Sequence, residues 1–200
     1  MRLFIAVDLS NNVRRAVADV IRLLRGRLPS TSWAHRIRWV PTQNLHLTMS
    51  FLGHVDEDLA ITVSHALAEP LTTTEVRASI FGAGAFPCKG LPRIIWLGVG
   101  NGSAQLVALR NEIGGRLKPL GFDVGAHEYS AHLTLGRVKV RSGRTERIIR
   151  QLLVSASVAI EPWSVDHITL YESELLHGRS TYQPLVCTRL TKMLRVGHST

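Results

Sequence analysis

The chain has 200 residues, 45% of them apolar and 20% charged, an ordinary balance for a soluble globular domain with enough chain to bury a core. Its 24 lysines and arginines against 15 acidic residues leave a formal charge of +9, which points to a polyanionic partner such as nucleic acid or a phosphorylated ligand. No apolar run is long enough to span a bilayer and Leu3 to Val7 is too short for a signal-peptide core, so the expected location is cytoplasmic, without membrane association. Cys88 and Cys187, with no CxxC or Cys/His cluster around them, read as free thiols, neither a disulfide framework nor a zinc site.

In chain order, RLFIAVDL (2–9) reads as a buried strand. Ser10 or Asn11 caps a helix in which Val13, Val17, Val20, Ile21 and Leu24 follow helical spacing, ending near Gly26. After a loop with Pro29, Ser30, Thr31 and Ser32, two strands follow, IRWV (37–40) and LHLTMSFLG (45–53), separated by the turn PTQN. Residues 56–68 are helix-like, 75–86 strand-like, and RIIWLGV (93–99) is another strand. A helix opens at Gly102 or Ser103, carries Leu106, Leu109, Ile113 and Leu117, and is stopped by Pro119 and Gly121. SAHLTLGRVKV (130–140) is a strand, 145–153 a helix, SVDHITLYES (164–173) a strand and TYQPLVCTRL (181–190) the last strand, before a frayed tail.

The order strand, helix, HxT strand, helix, strand occurs twice. First strands begin at 2 and 93, HxT histidines stand at 46 and 132, and closing strands begin at 75 and 164. The expected fold is therefore α+β: one bilobal domain, 1–200, with approximate repeats 2–86 and 93–173. Its two pseudo-symmetric lobes are each an antiparallel sheet with helices on the outer face, around a central cleft.

His-apolar-Thr-apolar occurs three times, as HLTM (46–49), HLTL (132–135) and HITL (167–170), where composition alone gives about 0.06 matches. The strand period places His46, Thr48 and Ser50 on one face, with Leu45, Leu47, Met49 and Phe51 on the other. His132 and Thr134 likewise oppose Leu133 and Leu135. The repeat makes His46 and His132 the symmetric pair, whereas His167 corresponds to Ala78 and is expected to pack or face solvent. Two imidazoles can hold one neutral base and one protonated acid at once, and flanking hydroxyls can hydrogen-bond non-bridging phosphate oxygens, so the pair suits in-line displacement at phosphorus without a metal. A zinc site is the weaker alternative, since HxT lacks the HExxH or cysteine partners of a coordination shell.

These stretches, from RLFIAVDL through RWVPTQNLHLTMSFLGHVD, GAGAFP, RIIWLGV, LGF and HLTLGRV to LYESEL and Tyr182, resemble the RNA 2′,3′-cyclic phosphodiesterase (2′-5′ RNA ligase) family of two-histidine phosphoesterases. The resemblance implies hydrolysis of RNA 2′,3′-cyclic phosphate ends, or of cyclic nucleotides, to 2′-phosphates, with 2′-5′ joining in the reverse sense and no cofactor. It places the catalytic roles on His46 and His132 and phosphate contacts on Thr48, Thr134 and Arg137. A monomer is expected.

Two departures stand out. Ala131 occupies a position that is commonly proline in the family, and Arg137 lies an odd number of residues from His132. An unbroken strand would turn Arg137 away from the cleft, and a bulge or kink at Gly136 is what could bring it back. His132 is assigned as base and His46 as acid. The competing reading is a non-catalytic RNA- or nucleotide-binding module on the same fold. Trp33, Trp39, Phe4 and Tyr171 are candidates for base stacking, weighed against core or surface positions.

Overall fold

Alternation begins at once in β1 (Arg2–Asp8), where Leu3, Ile5 and Val7 enter the core and Phe4, Ala6 and Asp8 point to the opposite face. The computed structural model describes residues 1–29, 31–124, 129–140, 142–154, 156, 158–176 and 179–192; Ser30 and the expected frayed tail from 193 on lie outside these. Helix α1 (Asn11–Gly26) starts where the Ser10 hydroxyl accepts the Val13 N–H at 3.4 Å, and it buries Val13, Val17, Ile21 and Leu24. Helix α2 (Glu57–Ala66) is capped by the Asp56 carboxylate, which accepts the Leu59 N–H at 2.8 Å. Helix α3 (Ser103–Leu117) follows Gly102, whose φ of +84° and close approach to the Arg77 carbonyl leave no room for a side chain. Helix α4 (Gly143–Val154) buries Ile149 and Leu152.

The remaining strands are β2 (Ile37–Trp39), β3 (His46–His54), β4 (Leu71–Thr74), β5 (Val76–Phe86), β6 (Ile94–Val99), β7 (His132–Val138), β8 (Ala159–Val165), β9 (His167–Leu176) and β10 (Arg179–Thr191). Among the described residues they order as β4-β10-β9-β1-β3-β7-β6-β5-β8, with β2 added beside β7. All neighbours are antiparallel except β4 and β10. The apolar sides of the four helices and of the central strands merge into one buried cluster. Each fully buried leucine in it, such as Leu47 or Leu133, contributes about 1.5–3 kcal/mol. No helix of the described residues is long and apolar enough to cross a membrane.

Three features depart from the expected layout. The stretch 164–173 is two strands that break at Asp166, and β8 begins before Pro162, a residue tolerated because β8 lies at the sheet's end. The short, threonine-rich β4 at the opposite end lacked an apolar alternation to announce it. The closing strands of the two sequence repeats also change places. β5, from the first repeat, pairs with β6 and β8, whereas β9, from the second, pairs with β1 and β10. HITL therefore borders β1 and lies one strand away from β3.

Candidate active site

The histidine strands meet where the sheet is thinnest. Among the described residues, β3 and β7 share the single register pair Leu47↔Leu133, both fully buried. His46 and Thr48 flank one leucine, and His132 and Thr134 flank the other, so all four occupy the face opposite the core. The four residues expected from sequence are thus brought together.

Each imidazole is held in the same way. His46 Nδ1 lies 2.8 Å from the Asn44 carbonyl oxygen and His132 Nδ1 lies 2.8 Å from the Ser130 carbonyl oxygen. A carbonyl only accepts, so Nδ1 carries the hydrogen in both rings and Nε2 is the atom left for chemistry. In neutral His46 that nitrogen accepts the Thr48 hydroxyl at 3.0 Å. Burial pushes the His46 pKa below the ordinary imidazole value, against the Asn44 hydrogen bond and the Asp8 charge, which raise it; Arg14 and Arg137 lower it further.

Aromatic rings wall both histidines. Phe4, itself 3% exposed, sits 4.9 Å from the His46 ring, and Tyr182 meets that ring edge-on at 5.5 Å. Tyr171 stacks on Phe4 at 5.3 Å. Phe86 meets His132 edge-on at 5.0 Å, with Trp96 behind it at 6.4 Å. Of the four stacking candidates, Phe4 and Trp33 are buried while Trp39 and Tyr171 are half-buried.

The backbone before His46 is pinned from α1. Arg14 Nη1 lies 3.1 Å from the carbonyl oxygens of Thr42, Gln43 and Leu45, and Asn44 Nδ2 donates to the Ser180 carbonyl at 2.7 Å. Across β3, the Tyr129 hydroxyl donates to the Thr48 carbonyl at 3.0 Å, and Arg110 on α3 lies over the Tyr129 ring while donating to the Met49 carbonyl. Burial pushes the Tyr129 phenol up to about 12, so it remains a donor across the physiological range.

Arg137 is where the bulge matters. Ile95 pairs with Gly136 but Trp96 pairs with Thr134, so Leu135 is an extra residue in β7. Leu135 and Gly136 are consecutively buried, and Arg137 re-emerges exposed on the side of His132 and Thr134. A side chain at Gly136 would press on Ile37 and Trp39 of β2. Irregularity in β3 corrects one expectation: slips against β1 at Met49 and Leu52 turn Phe51 outward, 64% exposed and 6.1 Å from Phe4, while Leu52 takes the core position.

His167 is neither core nor open surface. Its Nδ1 contacts Asp166 Oδ1 at 2.6 Å and its Nε2 lies 3.6 Å from Asp8 Oδ2. Asp8 also accepts the hydroxyls of Thr169 at 2.8 Å and Tyr171 at 2.9 Å, and it is the register partner of His46. The hydrogen bond to Asp8, aided by Asp166, outweighs burial and lifts the His167 pKa to about 9. Sequence reasoning passed over Asp8; the signal was a lone carboxylate closing an apolar strand on the same parity as Phe4. No group of three or more His, Cys, Asp or Glu among the described residues is arranged to hold a metal ion. Cys88 and Cys187 are free and exposed.

The pattern of the 2'-5' RNA ligase superfamily matches residues 13–175. A protein of Archaeoglobus fulgidus named RNA 2',3'-cyclic phosphodiesterase is 36% identical over 151 residues, covering 76% of this chain and 80% of that one. One of the same name from Methanocaldococcus jannaschii is 30% identical over 183 residues, covering 92% and 97%. Among solved structures, TT0787 of Thermus thermophilus superposes with a TM-score of 0.74 at 26% identity, covering 96% of this chain and 99% of that one. Apo LigT of E. coli gives 0.70 at 25%, covering 95% and 97%. The chain belongs to the 2'-5' RNA ligase superfamily.

Proposed function

We propose that the protein hydrolyses RNA 2′,3′-cyclic phosphate ends to 2′-phosphates by acid–base catalysis between His46 and His132, without a metal. The observation that carries this reading is the matched anchoring of the two rings, each tied through Nδ1 to a carbonyl two residues earlier and presenting Nε2 on one face. The relatives named RNA 2',3'-cyclic phosphodiesterase support the substrate class.

In the proposed step, His132 Nε2 removes a proton from water as its oxygen attacks phosphorus. The bond to the 3′ oxygen breaks, and His46 Nε2–H protonates that oxygen. Thr48, Thr134 and Arg137 hold the non-bridging oxygens, where charge builds in the transition state. The allocation follows access: His132 is the more open ring, where water arrives, and the deeper His46 is made a stronger acid by its lowered pKa. A 5′ hydroxyl in place of water would make the same displacement a 2′-5′ ligation.

Turnover of a nucleoside 2′,3′-cyclic phosphate in EDTA tests the reading. His46→Ala and His132→Ala are each expected to lose at least about 100-fold in kcat; unchanged turnover in either would refute the site, and no turnover by the wild type would favour a pure binding module. In a pH–rate profile His132→Ala should lose the acidic limb. Loss of the alkaline limb instead would exchange the two roles.

A further inference from the structure

Five neighbouring strands of this fold carry no acidic residue. Residues 20–55, 76–111 and 129–145 contain no Asp or Glu, and they include the whole of β2, β3, β5, β6 and β7. The same stretches carry Arg36, Arg38, Arg93, Arg137 and Lys139.

Within this acid-free region β2 pairs with β7 so that Arg38 stands directly opposite Arg137. The pairing continues one step, as the Lys139 N–H donates to the Arg36 carbonyl at 2.7 Å. Arg38, Arg137 and Lys139 are exposed, and the Arg36 guanidinium carbon lies over the buried Trp33 ring, 4.9 Å from its centroid. Residues opposite each other, or two apart along a strand, share a face, so these cations continue the line of His132 and Thr134 outward along β7. Basic residues set in facing positions concentrate positive charge on one stretch of surface, which attracts a polyanion.

We propose that Arg38, with Lys139 and Arg36, forms a phosphate-binding strip for the RNA chain attached to the cyclic end, with Arg137 linking the strip to the reacting phosphate. The inference rests on the function proposed above and extends it: the preferred substrate is an oligonucleotide end, and the chain leaves the site along the β2 edge. Contact is with successive phosphates, so it is insensitive to base identity.

The test compares a nucleoside 2′,3′-cyclic phosphate with a ten-nucleotide RNA ending in a 2′,3′-cyclic phosphate, for wild type, R38A, K139A and the double variant. On the oligonucleotide, kcat/KM should fall about tenfold in the double variant and by less in each single one, with the loss absent from the mononucleotide. R38K should recover much of the loss. Fluorescence anisotropy of the same RNA with a 2′-phosphate end should show that each lost contact flattens the log–log salt dependence of binding by about 0.7. Equal losses on both substrates, or no change in oligonucleotide turnover and salt slope, would overturn the strip. Failure of wild type to hydrolyse either substrate would overturn the proposed function, and the anisotropy series would still decide the strip. Should R38A fail to fold, K139A carries the same comparison.

Discussion

Asp8 acts on two histidines, one by contact and one through its charge. It is clasped by His167, Thr169 and Tyr171, and its charge reaches His46. Burial acts to raise the Asp8 pKa, but the three hydrogen-bonding partners hold it below the ordinary carboxylate value. The pair therefore stabilises the fold within a defined window. The His167 contribution is complete below the ordinary imidazole pKa, about 6.5, and fades as pH rises through about 9. The Asp8 contribution is present above the ordinary carboxylate pKa and is lost as pH falls through its lowered one. Melting temperature against pH should decline between about 6.5 and 9 in wild type, and His167→Ala should flatten that decline. The effect is small because the His167 side chain is 35% exposed. His167→Ala should also retain most activity; a loss as deep as that of His46→Ala would place it in the chemistry. Asp8→Asn removes a charge that raises the His46 pKa, so the alkaline limb of the pH–rate profile should move to lower pH.

At the scale of elements, strands hold the candidate catalytic groups while their neighbours set how firmly. Gly84 lies opposite Trp96 in the β5–β6 ladder, and a methyl there would run into the indole. Gly84→Ala should push Trp96 toward His132, lowering stability by about 1–3 kcal/mol in a denaturant titration and reducing kcat. The central alternation, helix caps and both HxT strands were legible in the sequence because each depends on local spacing and one buried face. A bulge or kink near Gly136 was legible as a way to bring Arg137 back, from the odd step between His132 and Arg137, and the extra residue is Leu135. The edge strands β4 and β8 were not, since an edge needs no apolar run and admits Pro162. Phe51 was misplaced because two slips in β3 arise from its fit to β1, a tertiary property that a period of two does not contain. Asp8 escaped notice for a similar reason: its partners come from β9, which lies 161 and 163 residues further along the chain at Thr169 and Tyr171.

Seen whole, the molecule joins two half-sheets at Leu47 and Leu133, with one catalytic candidate on each side. Truncating either leucine to alanine should cost about 2–5 kcal/mol in stability, and activity should fall further than the loss of folded protein explains, because the histidines flank these residues. The exchange of closing strands has a different consequence, for a chain cut in two. A cut in the exposed loop after Lys89 leaves a first fragment with β1 and β3 but without β9 and β10, and a second with β6 and β8 but without β5. Each fragment carries one of the strands that the other needs, so neither should fold alone, and mixing them should restore both ladders and turnover together. In such a split protein turnover would report the exchange itself, arising only once both strands have crossed.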